Sequence, residues 1–210
     1  LLLVASPLRL LLAGAMRPRK LRPPRDDVQP IDGRGAYADG PLLSLEEVHS
    51  KGILHKALWL HVLSSDHQLL LVRQPARAAT CAGRLSVVRS HHVRRESDEH
   101  CARRMMREEL PGLPKHIESL LPLRPKPRWF LYEDGDGVRH ERALVCEWVL
   151  RLSLNASDAA QLLRQATASR EAEPLFLSLD ALYRSARAAL HGPAQYCAPA
   201  LLPAARSGGG

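Results

Sequence analysis

Between Ser90 and Gly112 the chain reads SHHVRRESDEHCARRMMREELPG, and carboxylates and guanidinium groups recur there at spacings that chemistry can use. Glu108 follows Arg104 by four residues, so on a helix the two side chains meet on one face. Glu109 stands beside Glu108, and Glu96 lies in the loop that would precede the helix. Adjacent carboxylates repel one another unless they share a cation, and hard oxygen donors suit magnesium or manganese. A divalent ion held there would bridge diphosphate oxygens and activate water. The same pattern also describes a solvated helix face with ordinary Glu–Arg pairs, and charge spacing by itself favours that blander reading.

These residues need elements to position them. Asp98 to Leu110 reads as a helix, because Ala102, Met106 and Leu110 recur every four residues, as a helix packed on a sheet requires. Pro111 and Gly112 stop it. Upstream, Leu45 to Val48 forms a short helical turn capped by Ser44 and leading to Gly52. His55 to Leu63 is rich in large apolar residues and predicts a strand buried on both faces. The polar turn Ser64 to His67 and the strand Leu69 to Val72 complete a hairpin signal. Arg73 to Gly83 reads as loop and Leu85 to Arg89 as a short strand. Trp129 to Glu133 and Ala143 to Leu150 read as strands flanking the turn Asp134 to Gly137.

Asn155 to Ala168 predicts a helix capped by Asn155 or Ser157. The triplet Asn155-Ala156-Ser157 also fits a glycosylation sequon, and the cap is the reading preferred here. Leu175 to Leu177 is a last strand, and Ser178 then caps a helix to about Leu190, closed by Gly192 and Pro193. There is no internal repeat. Interleaved strands and helices predict an α/β or α+β layered domain.

With 210 residues the chain suits one domain of ordinary size plus a tail. Hydrophobic residues make up 45% but aromatics only 4%, so the core must be built mainly of Leu, Val and Ala. The formal net charge of +8 favours anionic partners without choosing among them. Nucleic acid is not expected, because aromatic residues do not interleave with the basic ones and no binding motif is present. Cys81, Cys101, Cys146 and Cys197 form no CxxC pair, which argues against a zinc ribbon and for idle or buried thiols in a reducing compartment. Residues 1–15 are apolar but interrupted by Pro7 and Arg9, too short to span a bilayer, and no membrane association is expected. Residues 17–25 are basic and proline-rich. They end a transit peptide, or else Met16 is the initiator. The expected division is a leader at 1–26, a domain at 27–205 and a tail at 206–210, and the location cytoplasmic, or mitochondrial or plastid if the leader is a transit peptide.

The 90–112 stretch resembles the Nudix box, GX5EX7REUXEEXGU. Ser90 stands at the first glycine, Glu96 at the first glutamate, Arg104 at the arginine, Met106 at the apolar position, and Glu108 and Glu109 at the glutamate pair. Residues 47–57, EVHSKGILHKA, resemble the EVHxKGLxHRA segment of the isopentenyl-diphosphate-isomerase-like branch. Leu69-Leu70-Leu71, His140-Glu141 and Phe176 to Leu182 resemble that branch's later strands and closing helix, so the likeness runs from about Asp27 to Pro199.

The resemblance implies a Nudix fold, a mixed β-sheet sandwiched between helices. It also implies a magnesium-dependent hydrolase, with manganese as the alternative ion, acting on a small-molecule organic or nucleoside diphosphate. Arg104, Glu108 and Glu109 would be catalytic. Glu96, Glu108, Glu109 and Glu141 would hold the metal, with His49, His55 and His91 as secondary ligands better suited to zinc or manganese. Arg73 and Arg77 keep the cation spacing of the branch's diphosphate-binding RSxxK segment. Among the other histidines, His61 and His67 read as strand and turn residues, and His92 and His100 as solvated.

Several positions depart from the pattern. Met105 replaces the glutamate beside the box arginine, Ser90 a glycine, and Pro111 stands where a glycine follows the glutamate pair. Arg89 occupies the place of the isomerase's cysteine and Arg139 that of an acidic ligand. Isomerase chemistry needs an acid and a base on opposite faces of the substrate, so it does not carry over. The alternatives to a hydrolase are a catalytically impaired Nudix-fold binding protein, or an isomerase relative lacking its cysteine.

Overall fold

A computed structural model of the chain describes residues 27–74, 83–133, 140–166, 174–182 and 184. Arg77, Cys81, Arg139 and Cys197, the expected leader and tail, and the turn at 134–137 lie outside the described residues.

The sheet grows from two long strands, β3 (His55–Leu63) and β9 (His140–Leu152), paired in parallel with His55 opposite Ala143. Each outer edge then forks. β3 pairs antiparallel with β6 (Val88–His91) along its first half and with β4 (Gln68–Arg73) at its end. β9 pairs antiparallel with β8 (Arg128–Glu133) along its first half and with β7 (Ile117–Pro122) along its second. β4 also carries β5 (Leu85–Ser86) and β10 (Pro174–Ser178). Two short strands, β1 (Asp27–Val28) and β2 (Leu43–Ser44), form a separate ribbon.

The expected mixed sheet with packed helices is what the chain forms. α2 (Asp98–Glu109) and α3 (Ala156–Ala166) cover one face, burying Cys101, Ala102, Met105, Met106, Ala159 and Leu163 against Leu58, Leu60, Val62 and Leu150. The opposite face buries Ala57, Trp59, Leu71, Phe130 and Val145 together with Leu182, which lies in the helical turn at 179–182. Side chains alternate between faces along a strand, which is why odd-numbered residues of β3 and β9 reach one core and even-numbered ones the other. Among the described residues, no helix is long and apolar enough to cross a membrane.

Both predicted helix starts are capped as expected: Ser44 accepts from the Glu47 amide before α1 (Leu45–Ser50), and Asn155 from the Asp158 amide before α3. Ser178 accepts from the Ala181 amide. Three expectations need correction. The strand read over Leu85 to Arg89 is two strands, β5 and β6, because the chain leaves β4 and joins β3 at Val87. β7 was not foreseen, since a register shift between Ile117 and Ser119 breaks its two-residue alternation. β9 extends past both ends of the Ala143–Leu150 estimate and so carries Glu141.

Candidate functional site

α1 is a short helix that ends at Lys51, and Gly52 follows at φ +61°, in the left-handed region that a glycine adopts without strain. The Ile53 amide then returns to the Val48 carbonyl, and β3 starts two residues on. This reversal sets His49, in the last turn of α1, against His55, the first residue of β3. β6 runs antiparallel beside β3 with His91 opposite Ala57, which brings His91 to the same end of the sheet. β9 enters there too, carrying Glu141 on the face shared with Ala143 and His55.

The three imidazoles form a near-regular triangle, with ring centroids 5.0–5.4 Å apart. Glu141, 3% exposed, is aimed into it: Oε1 lies 3.6 Å from His55 Nε2 and 3.4 Å from His91 Nε2, and Oε2 lies 3.8 Å from His49 Nε2. One ligand atom from each of the four residues lies within 4.8 Å of all the others.

The donor chemistry fits a cation. His55 Nδ1 faces the Ile53 carbonyl at 2.9 Å, a contact that places the ring proton on Nδ1 and leaves a lone pair on Nε2. That lone pair points at a carboxylate oxygen, so two acceptors face each other in a buried space. His55 Nε2 and both ring nitrogens of His49 have no hydrogen-bond partner there. Buried polar atoms are rarely left so, and a shared metal ion would satisfy His55 Nε2 and one nitrogen of His49 together. Burial, then the neighbouring His91, pushes His49 down to about 3, and burial likewise lowers His91, which favours the neutral rings that metal binding requires. Burial alone would raise the Glu141 carboxyl, but His91 Nε2, within hydrogen-bond distance of Oε1, and the Arg89 guanidinium outweigh it and hold it well below its ordinary value. Nitrogen donors with one carboxylate suit zinc or manganese better than magnesium.

Arg104 makes a second, separate hub. Its guanidinium donates to Glu96 Oε1 at 2.6 Å and Oε2 at 3.3 Å, to Glu108 Oε2 at 3.0 Å and to the His91 carbonyl at 2.7 Å. Glu96 also accepts from the Val93 amide at 2.8 Å. Burial opposes its ionisation, yet Arg104 and that amide hold its carboxyl below the ordinary value. Glu108 is half-buried and Glu109 exposed on the last turn of α2. The four glutamates expected to share a metal are thus divided: Glu96 and Glu108 meet at Arg104, while Glu141 meets the histidines. Among the described residues, the groups of three or more metal-binding side chains include neither Glu96, Glu108 nor Glu109.

Searches against protein-family models and against curated proteins return no match. The fold is similar to the crystal structure of DR0079 from Deinococcus radiodurans, over 80% of this chain and 90% of that one, at 17% identity and a TM-score of 0.49. It is also similar to the C. elegans Ap4A hydrolase, over 60% of this chain and 82% of that one, at 17% identity and a TM-score of 0.40. Likeness at this level says nothing of activity or substrate. The site stands on its own geometry.

The remaining expected residues fall as follows. Arg73 is exposed at the end of β4 and donates to the Gly83 carbonyl at 2.8 Å. Arg89, its side chain mostly buried, brings a guanidinium nitrogen 3.9 Å from Glu141 Oε2. Met105 is fully buried among Leu58, Leu60 and Leu110 and does not face the cluster. His61 Nε2 lies 3.7 Å from Glu147 Oε1 instead of sharing the His55 site, as their separation along β3 predicts. His100 is exposed, as expected for a solvated residue, but His92 is not: it is 1% exposed, because it follows His91 and turns to the opposite face of the sheet. Sequence reasoning had a signal for this in the alternation of β6, had His92 been counted as part of it.

Proposed function

We propose that the chain is a metal-dependent hydrolase of a diphosphate linkage in a small organic or nucleoside diphosphate, with a Nudix-type ancestry. The observation that carries the reading is the convergence of His49, His55, His91 and Glu141 at one end of the sheet, with unpartnered ring nitrogens facing a buried carboxylate. These four would hold a manganese-like or zinc-like ion, in preference to the magnesium expected from the box carboxylates. When bound, such an ion polarises a phosphoryl oxygen and lowers the pKa of a coordinated water. Glu141 supplies the cluster's negative charge, and its two oxygens reach all three rings. Arg89, at the cluster's edge, offers a guanidinium fork for a phosphate oxygen, Arg73 adds positive charge at the end of β4, and Arg77, outside the described residues, follows four positions later in the sequence. Arg104 acts as a positioning residue, tying Glu96 and Glu108 to the strand end that carries His91.

The test is release of phosphate or monophosphate from a panel of organic and nucleoside diphosphates, in manganese, zinc and magnesium separately. Glu141→Gln should lower the rate by about 100-fold or more, the loss expected when several kcal/mol of metal-supplied stabilisation is removed. Equal rates for the two proteins would sink the assignment. The engagement of Glu96 and Glu108 by Arg104 favours one second reading, a protein that binds diphosphates without turning them over. Metal-dependent thermal stabilisation by a diphosphate, with no product from any substrate in the panel, would select that reading.

A further inference from the structure

His91 and His92 are adjacent, and alternation along a strand sends their rings to opposite faces of the sheet. On the face covered by α2, His92 meets two other groups able to bind metal: Asp98, the first residue of α2, and Cys146 on β9, opposite Leu58. One ligand atom from each lies within 4.8 Å of the other two, and His92 and Cys146 are buried. We propose that His92, Asp98 and Cys146 form a second divalent-cation site, selective for a zinc-like ion and separated by the sheet from the first cluster.

The His92 ring is held from behind. Its Nδ1 lies 3.2 Å from the Glu96 carbonyl oxygen and 3.3 Å from Tyr37 Oη, which itself donates to that carbonyl at 3.1 Å. With the ring proton on Nδ1 toward the carbonyl, Nε2 carries the lone pair, the arrangement that outer hydrogen bonds impose on a ligating histidine. Nε2 points 3.5 Å from Asp98 Oδ1 and has no hydrogen-bond partner, although the residue is 1% exposed. A buried lone pair that faces a half-exposed carboxylate, with no donor between them, is an arrangement a cation would satisfy. Asp98 is not engaged as the cap of α2, because Ser97 fills that role by accepting from the His100 amide.

The donor set and the charge also agree. One nitrogen, one carboxylate oxygen and one sulfur are zinc's habitual donors, and the thiolate tells against magnesium, calcium and manganese. Asp98 and a Cys146 thiolate together cancel a 2+ ion, so the occupied site is neutral. Binding forms the metal–sulfur bond and releases the Cys146 proton to solvent. Asp98 is the most exposed of the three, leaving the fourth position open on its side.

Cobalt titration of the full chain tests this, because only a cysteine-containing site yields a thiolate-to-cobalt charge-transfer band. The band should reach saturation within two equivalents, one for each cluster, disappear in Cys146→Ser, and persist in Cys81→Ser, Cys101→Ser and Cys197→Ser. It should also persist in Glu141→Gln, which disables only the first cluster. A cobalt-saturated wild-type protein without the band, or a band that survives in Cys146→Ser, overturns the proposal. X-ray absorption on the zinc-loaded wild-type protein gives a second measurement that needs no variant. A sulfur shell at about 2.3 Å is expected, diluted by zinc in the first cluster, and a shell of nitrogen and oxygen alone refutes the site.

Discussion

Arg104 is the residue on which the local structure before and along α2 depends. It holds two carboxylates and the carbonyl of His91, and none of these bonds repeats another. Truncation to Ala would leave Glu96 half-buried with only the Val93 amide to stabilise its charge. The expected loss is about 2–3 kcal/mol in denaturant unfolding, less than the ~3–5 kcal/mol of a fully buried pair because the hub is partly solvated. Arg104→Lys should recover only part of that, since an ammonium cannot fork to Glu96 and still reach Glu108. Glu147, next to Cys146 in sequence but on the opposite face of β9, offers a pH test. It is buried, ion-paired with Arg124 at 2.7 Å and Arg128 at 2.8 Å, and 3.7 Å from His61 Nε2. Burial raises its carboxyl, but these partners outweigh burial and bring it below the ordinary 4.5. The unfolded chain therefore takes up this proton first as pH falls. Glu147 contributes its full stability above about pH 4.5 and loses it progressively below, as pH passes through the lowered folded value. Urea unfolding of Glu147→Gln should show a shallower acid limb in that range than the wild type.

At the scale of elements, α2 shows how far the sequence could be read. Its bounds agree with the expected Asp98–Leu110 to within one residue, and Pro111-Gly112 ends it as predicted. The apolar stripe was drawn through Ala102, Met106 and Leu110, yet the buried face also includes Cys101 and Met105. Comparison with a motif presents Met105 as a lost carboxylate, whereas helical periodicity presents it as core, one turn after Cys101. The structure agrees with periodicity. Met105→Glu should therefore not restore a ligand but bury a charge, costing about 3 kcal/mol or more, or leaving the protein unfolded at 25 °C. Met105→Leu should cost less than about 1.5 kcal/mol. Thermal melts of the two variants decide the matter, and a stable Met105→Glu protein would mean that the side chain reaches solvent or a cation. Strand β7 was illegible for a different reason. Its bulge removes the alternation that marks a strand, and only its pairing with β9 defines it.

At the scale of the molecule, the first cluster is a product of topology. His49 and His55 are close in sequence, but His91 and Glu141 arrive by an antiparallel and a parallel pairing to the same end of β3. The family resemblance named all four as ligands, but spacing says nothing about which strand lies beside which, so it did not separate Glu141 from Glu96, Glu108 and Glu109. The four ligands belong to α1, β3, β6 and β9, so an ion bound there would fasten four elements separated by up to the whole length of the domain's first half and more. Such an ion stabilises the folded state by mass action, by about 2.7 kcal/mol at 100 times its dissociation constant. For a domain of this size each kcal/mol raises Tm by roughly 2–4 °C, so the expected gain is about 5–10 °C. Manganese is the ion to use, because it suits the histidine–carboxylate cluster and is disfavoured by the sulfur of the Cys146 site. Calorimetry should show the gain in wild-type protein, its reversal by a chelator, and its absence in His55→Ala. Retention of the full shift in that variant would mean that manganese binds elsewhere. The first cluster would then be only a set of buried imidazoles around a carboxylate.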